Sequence, residues 1–331
     1  MPATPTRRLI AVVVLVPVLA ALALWAFAWP AARTAPRDLP LGVAGPPAAA
    51  AQMEKRMEQR EGAFEIHRYA DEAAARDAVE DRTVYGAVVV TPQGPELLTA
   101  SAAGPAVAQF LQQAVAQQAA AAGTQVRTVD VVATPASDPR GAAFNAAVLP
   151  LALAGIAAGA VVTVLGLRGA RAVTALLAAS ALVGVAAAGV AHSWLGVLTG
   201  DWWTEAAALG LSALAVSGAV AGLAALVGTA GMGIAGAVVM LLGNPFSGAA
   251  SAPQMLPEPA GAIGQWLPPG AGTTLLRSVS YFDGAAATGP ALTLTWWAAL
   301  GLGAVLLGGA LRARKARDEA ATDGRELAAV G

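Results

Sequence analysis

Cysteine is absent from this 331-residue chain, and charged residues are scarce. Only 12% of the residues are charged, whereas 56% are hydrophobic. The lack of cysteine excludes disulfides, thiolate metal sites and cysteine nucleophiles. A soluble domain carries about 25% charged residues, so this composition indicates a polytopic α-helical membrane protein. A net charge near −1 argues against a general role in nucleic-acid binding. The preference for Ala, Gly and Arg over Ile and Lys is typical of a GC-rich bacterial genome.

Sequence signatures of catalysis are also missing. The chain has no G-x-x-x-x-G-K-[ST] phosphate loop, so it is not itself a Walker-type ATPase. It has no G-x-S-x-G, H-E-x-x-H or kinase motif either. His67 lies near Asp71 and Glu72, but one histidine with two acids is a poor metal-ligand set. We therefore expect no catalytic residue, no cofactor and no metal site, and we expect that the chain is not an enzyme.

Apolar runs of the length of a membrane span are abundant. A spanning helix needs about 20 mostly apolar residues. The run from Ala206 to Pro257 carries no charge and is too long for one helix, and the glycine cluster at Gly228–Gly233 divides it. The six predicted spans are Leu9–Trp29, Ala147–Leu167, Ala172–Trp194, Ala206–Val227, Ile234–Leu242 with the residues after it, and Leu292–Leu311. None of these core stretches contains Asp, Glu, Lys or Arg, which makes a proton-coupled carrier a poor candidate.

The positive charges near the spans predict their orientation. With six crossings, the basic residues Arg7, Arg8, Arg168, Arg171, Arg312, Arg314, Lys315 and Arg317 fall on one side. Cytoplasmic loops are enriched in Lys and Arg, so both termini are predicted to be cytoplasmic in a bacterial plasma membrane. Arg33 and Arg37 favour the opposite orientation weakly. The first span is longer than the apolar region of a signal peptide, so we expect an uncleaved anchor, with cleavage after "AFA" as the alternative.

A different composition separates the first two spans. Alternating patterns in residues 31–143 predict elements in the order β-α-β-α-β-β-α-β, with Asp71 as an N-cap. This order is typical of a small α/β domain, which the orientation would export. The predicted organisation is a first transmembrane helix in residues 1–30, the exported α/β domain in 31–143, a five-helix transmembrane domain in 144–312 and a cytoplasmic tail in 313–331.

Small residues recur within the predicted spans at G-x-x-x-G spacing. Gly155 and Gly159 form one such pair, and Gly218 and Gly222 form another. Such pairs allow helices to approach closely. We interpret them as sites of helix packing within the chain, with dimerisation as the alternative.

A proline-rich stretch follows the fifth predicted span. "GNPFSGAASAPQMLPEPAGAIGQWLPPG" carries six prolines and only one charged residue, Glu258. It is too apolar for a free loop and too broken for a span. Proline fixes the direction of chain entry and exit. Residues 244–291 are therefore predicted to form short helices that re-enter the outer leaflet, with a rigid interfacial loop as the alternative.

The span order and this stretch together resemble a known family. One span, an exported α/β domain and five further spans look like the permease subunits of type-2 ABC exporters. "GNPFSG", "APQMLPEPAGAIGQWLPPGAGTTLLRSVSYFDG" and the apolar span after them resemble the YhgE/Pip (phage infection protein-like) branch. The resemblance implies a dimer of permeases driven by a separate cytoplasmic ATPase. It also implies an outer gate, for which the candidates are Asn244, Pro245, Pro257, Trp266, Pro268, Pro269 and Arg277.

The short loop "LRGAR" is a candidate contact with such an ATPase through Arg168, Gly169 and Arg171, although these arginines also fit a purely orienting role. The predicted function is export of a hydrophobic or amphipathic substrate, with energy from the ATPase. The alternative is a non-transporting surface scaffold or receptor that displays the α/β domain. A membrane-embedded enzyme has no supporting constellation of polar residues.

Overall fold

The structure is a computed structural model that describes residues 5–59, 61–121 and 123–330. Residues 1–4 of the predicted first segment and Gly331 of the predicted tail lie outside this description. The helices are α1 (Pro5–Ala32), α2 (Pro47–Glu58), α3 (Glu72–Glu80), α4 (Pro105–Ala121), α5 (Ala142–Val164), α6 (Gly169–Ala188), α7 (Trp202–Val227), α8 (Thr229–Val238), α9 (Ala260–Trp266), α10 (Pro268–Tyr281) and α11 (Thr288–Val330). The strands are β1 (Leu39–Ala44), β2 (Phe64–Tyr69), β3 (Gly86–Thr91), β4 (Gly94–Thr99) and β5 (Arg127–Asp130). Single π-helical turns extend α6 to Trp194 and α8 to Gly243, and a 3₁₀ turn forms at Pro253–Met255.

Long apolar helices dominate the fold. Among the described residues, five helices are long and apolar enough to cross a membrane: Val12–Ala32, Ala142–Val164, Gly169–Trp194, Trp202–Val227 and Thr288–Ala321. They contain the core of five of the six predicted spans. The sixth, Thr229–Gly243, is shorter. At about 1.5 Å per residue it extends for roughly 22 Å, less than the ~30 Å of a hydrocarbon core.

Helix α7 is the centre of the helical bundle, and α5, α6 and α11 pack around it. Glycine allows the close approach. A Cβ on Gly159 would lie 2.7 Å from the Ser217 carbonyl oxygen, and one on Gly222 would lie 2.6 Å from that of Gly301. Both predicted G-x-x-x-G pairs therefore serve packing within the chain, which confirms the first interpretation of their spacing.

The elements from Leu39 to Asp130 form what we call the sheet unit. Its described residues form a five-stranded sheet in the order β2-β1-β3-β4-β5. The β3–β4 pair is antiparallel, and the other neighbours are parallel. The strands and helices occur in the order that the sequence predicts. The Asp71 carboxylate accepts a hydrogen bond from Ala74 N at 2.9 Å, so Asp71 caps α3 as expected.

The bundle has two distinct ends. At the first, which we call the arginine end, the C-terminus of α7 meets the α5–α6 turn and the Arg312 region of α11. At the second, the sheet end, the α6–α7 loop meets α10, which in turn contacts the sheet unit. Residues 244–291, which we call the proline segment, lie at the sheet end between the bundle and the sheet unit.

Candidate functional site

The proline segment folds as short helices whose starts coincide with proline. Pro253 begins the 3₁₀ turn, Pro259 immediately precedes α9, and Pro268 and Pro269 occupy the first turn of α10. Proline suits these positions because the first N–H groups of a helix have no partner within the helix. The pair of short helices expected between the last two apolar stretches is therefore present.

The predicted gate residues do not converge on one point. Trp266 is exposed, and its carbonyl oxygen accepts a hydrogen bond from Trp297 Nε1 at 2.8 Å. Pro268 and Pro269 are buried, and Pro269 packs on Gly243, where a Cβ would lie 2.7 Å from Pro269 Cγ. The remaining candidates, Asn244, Pro245, Pro257 and Arg277, lie elsewhere along the segment.

Asn244 and Pro257 shape local turns. The Asn244 carbonyl oxygen accepts a hydrogen bond from the Ser247 hydroxyl at 2.8 Å. Pro257 is buried, and its carbonyl oxygen accepts one from Ala260 N at 2.8 Å, at the start of α9. Pro245 is partly buried. The backbone contacts of Asn244 and Pro257 therefore shape the entry to the short helices.

Apolar side chains of the proline segment complete the hydrophobic clusters of the sheet unit. Phe282 joins Val79, Val89 and Leu98 on the α3 side of the sheet. Met255 joins the cluster on the opposite side, formed by strands and by α2 and α4. The sheet unit therefore shares both of its hydrophobic clusters with the proline segment.

Polar contacts reinforce this junction. Arg82 donates hydrogen bonds to the Thr274 carbonyl oxygen, at 3.1 Å, and to the Ser278 hydroxyl of α10. Its Cζ also lies 5.2 Å from the centroid of the Phe282 ring, a cation–π distance. The Tyr85 hydroxyl donates to Gln254 Oε1 at 2.9 Å. Burial lowers the pKa of Arg82 and raises that of Tyr85.

Arg277 lies on α10, which is not one of the long apolar helices, and its side chain is buried. Its Nη2 donates to the Ala249 carbonyl oxygen at 2.9 Å, and its Cζ lies 5.0 Å from the centroid of the Phe144 ring. Arginine stays protonated in proteins, so Arg277 carries a buried positive charge.

The α6–α7 loop holds the C-terminal end of α10. Thr199 Oγ1 donates to the Ser280 carbonyl oxygen at 3.1 Å, and the Tyr281 hydroxyl donates to that of Val197 at 2.7 Å. The loop approaches α10 so closely that a Cβ on Gly200 would lie 2.1 Å from the Val279 carbonyl oxygen. These contacts fix the position of the α6–α7 loop relative to the C-terminal end of α10.

A large apolar groove lies on the side of the bundle. Its volume is about 1190 Å³, and it is formed by α7, α8, the region from α9 into α10, and α11. Ile263, Trp266 and Leu267 form its edge at the sheet end. The side chain of Gln265 is held at both ends, by Ser247 O at 3.1 Å and Thr274 Oγ1 at 2.7 Å. A drug-sized ligand needs about 300–1,000 Å³, so the groove is large enough for a lipid-like molecule.

The predicted ATPase-contact residues lie at the arginine end. Arg168 and Arg171 are exposed, and Gly169 packs against Gly309 of α11. Arg168 shares a cavity of about 210 Å³ with Arg312, whose Nη2 donates to the Ala225 carbonyl oxygen at 2.8 Å. The structure thus groups the candidates with a further arginine, Arg312, which lies at the end of the predicted transmembrane domain.

Two features escaped the sequence analysis. Glu205 comes just before the predicted span Ala206–Val227, but in the structure it lies in the first turn of α7 and is fully buried. The sequence did contain a signal for this helix start, because Asp201 is a typical N-cap residue. Asp201 caps α7 by accepting a hydrogen bond from Thr204 N at 2.8 Å, so the helix begins before Glu205. The role of Arg82 had no signal, because its partners lie almost 200 residues away.

The helical bundle, the apolar groove and the scarcity of charge define a polytopic membrane protein. A family model described as "ABC-2 family transporter protein" matches residues 7–311. The chain therefore belongs to the ABC-2 family transporter proteins, and it is an ABC transporter permease. The family comprises non-catalytic membrane components that associate with an ATPase subunit. No match was found among curated proteins or among solved structures.

Proposed function

We propose that this permease exports a hydrophobic or amphipathic molecule, with energy from a separate ATPase. The apolar groove carries this proposal, because its walls offer almost no polar partner for a hydrophilic solute. Its polar side chains include Gln265, which is already hydrogen-bonded at both ends, and Thr293. A lipid-like chain is the substrate class that such a surface stabilises in a membrane.

Six membrane crossings complete the proposal, with both termini in the cytoplasm and the sheet unit exported. The short helix Thr229–Gly243 supplies the fifth crossing, and the proline segment makes up the missing length as a re-entrant element. Arg168 and Arg312 share one end of the bundle, which supports a cytoplasmic placement of that end. The opposite end carries the sheet unit. Arg37, near that end, donates to backbone carbonyl oxygens, including that of Met255.

The proposed mechanism couples the two ends of α7. An ATPase that binds at Arg168, Gly169 and Arg171 would shift α7 relative to α11 at the arginine end. Because α10 contacts α7 and the α6–α7 loop, the shift would reach the edge of the groove at Trp266 and Pro268. The proline segment then serves as the outer gate, and the sheet unit braces it through Arg82. Assignment to the YhgE/Pip branch belongs to this proposal, and so does a second permease copy as partner.

The alternative of a non-transporting scaffold or receptor gains no support, since the family match extends through the helical bundle. The test is affinity purification of the tagged protein in mild detergent, followed by mass spectrometry. We expect a stoichiometric ABC ATPase. The double variant Arg168→Glu, Arg171→Glu should lose most of it, while Arg68→Glu in the sheet unit should retain it. Recovery of envelope proteins without an ATPase would overturn the exporter proposal.

A further inference from the structure

A small cavity lies where α5, α10 and the sheet unit meet. Its polar lining consists of Thr134, Asn145, Arg277 and Tyr281. The cavity has a volume of about 10 Å³, which leaves room for a single small occupant. It is separate from the apolar groove and does not depend on the proposed export function.

Arg277 is the charged member of this cavity, and most of its donors are unused. Its side chain is 4% exposed, and a guanidinium carries five N–H groups. Within the described part of the chain, its hydrogen bonds amount to the one that Nη2 donates to Ala249 O. The Phe144 ring covers one face of the guanidinium but accepts no in-plane N–H.

The charge of Arg277 also lacks a counter-charge. Among the described residues, no Asp or Glu carboxylate forms an ion pair with Arg277. Arg82 adds a second positive charge. The Asp138 carboxylate accepts a hydrogen bond from Phe144 N at 2.9 Å, and among the described contacts it forms no ion pair with Arg277. Buried charges in proteins are normally paired, because an isolated one is costly to remove from water.

Asn145 supplies the second open group. Its Oδ1 is buried without a hydrogen-bond partner in the described structure. The oxygen and nitrogen of an asparagine amide are assigned from their hydrogen bonds, so a rotated amide presents its NH₂ group to the cavity equally well. In that rotamer Asn145 and Arg277 are both hydrogen-bond donors, and both residues line this cavity.

We propose that this cavity binds a monoatomic anion of the size of chloride, held by Arg277 and the Asn145 amide. A single negative charge there offsets the two guanidinium groups at the junction between the sheet unit and α10. Larger anions such as sulfate, gluconate or a phospholipid headgroup exceed the space. Chloride binding consequently stabilises the docking of α10 on the sheet unit.

The test measures the Tm of the purified full-length protein in detergent, in sodium chloride and in sodium gluconate of equal ionic strength. Ligand binding to the folded state raises Tm with concentration. We expect chloride to raise Tm by about 2–4 °C relative to gluconate, with bromide acting similarly. Arg277→Gln should lose the difference, and Arg314→Gln, which changes an exposed arginine, should keep it.

A second variant keeps the test decisive if Arg277→Gln does not fold. Asn145→Asp places a carboxylate beside Arg277 and so replaces the anion. We expect this variant in gluconate to match the wild type in chloride and to respond no further to halide. Equal Tm values for the wild type in chloride and gluconate would show that water alone fills the cavity, and would overturn the proposal. A chloride response of equal size in all variants would overturn it too.

Discussion

His192 Nδ1 lies 2.8 Å from Glu205 Oε2, at the sheet end of the bundle. The other oxygen of this carboxylate accepts a hydrogen bond from Gly200 N at 2.8 Å. Glu205 is fully buried, so both of its oxygens are used within the protein. One carboxylate therefore ties the π-helical turn that ends α6 to the loop that holds α10.

Removal of this carboxylate should loosen the α6–α7 loop. We expect Glu205→Ala to lower the free energy of unfolding by about 2–4 kcal/mol, because it leaves buried partners unsatisfied. Glu65→Ala is the matched control, since it removes an exposed carboxylate 3.5 Å from His67. An exposed pair contributes about 0–1 kcal/mol. Thermal unfolding in detergent measures both, and equal losses would contradict a specific role for Glu205.

The cap of α7 should make stability depend on pH. Hydrogen bonds from the Thr204 hydroxyl and backbone N–H lower the pKa of Asp201 below its ordinary 3.8. A lowered pKa in the folded state gives stability that is complete above the ordinary value and is lost as the pH falls through the folded value. The Tm advantage of the wild type over Asp201→Asn should therefore be present at pH 6 and shrink below about pH 4. A constant difference from pH 6 to pH 3 would contradict it.

Close packing at glycine predicts different outcomes for two chemically identical substitutions. Gly222→Ala directs a methyl group to within 2.6 Å of the Gly301 carbonyl oxygen, so α7 and α11 must separate. The expected cost is about 1–3 kcal/mol. Gly233→Ala in α8 meets no atom within 4 Å and should be neutral or stabilising by up to about 1 kcal/mol. A titration with denaturing detergent gives the free energy of unfolding of each variant. Similar values for the two variants would refute the packing argument.

Arg82 should control how firmly α10 is docked. Its hydrogen bonds to α10 involve a charged donor, and such bonds contribute about 1.5–3 kcal/mol each at most. We expect Arg82→Ala to speed hydrogen exchange in α10 and in β3, with the rest of the bundle unchanged. Arg76→Ala is the control, because among the described residues the ion-pair partner of Arg76 is Glu72, one helical turn away on α3. Unchanged exchange in α10 would exclude Arg82 as the brace.

The groove should determine the response to substrate. Trp266 and Trp296 are both exposed and face the groove. We expect Trp266→Ala and Trp296→Ala to reduce stimulation of the assembled complex's ATPase by a hydrophobic ligand by about tenfold, the effect of losing ~1.4 kcal/mol of binding. Trp203→Ala, at an exposed tryptophan outside the groove, should leave it unchanged. An equal loss in all three variants would assign the effect to contact with detergent or lipid.

The long apolar helices and the order of the sheet elements were predictable from sequence, because hydrophobic runs and alternation record burial locally. The short helices of the proline segment were predictable as well, since proline marks where they begin. The contacts between the sheet unit and the proline segment were not predictable from the sequence. Arg82, Gln254 and Phe282 carry no local pattern that distinguishes a buried contact from a surface one. Trp266 and Leu267 are adjacent and both apolar, yet Trp266 is exposed and Leu267 is buried.

The shared clusters have a consequence for biosynthesis. Residues 39–130 emerge from the ribosome early, but Met255 and Phe282, which complete their two hydrophobic clusters, are made after four of the long apolar helices. Until then, part of the hydrophobic surface on each face of the sheet stays exposed. A chain truncated before Phe282 would leave that surface open to proteases and to aggregation. The sheet unit is therefore protected from proteolysis and aggregation only after the proline segment has been synthesised.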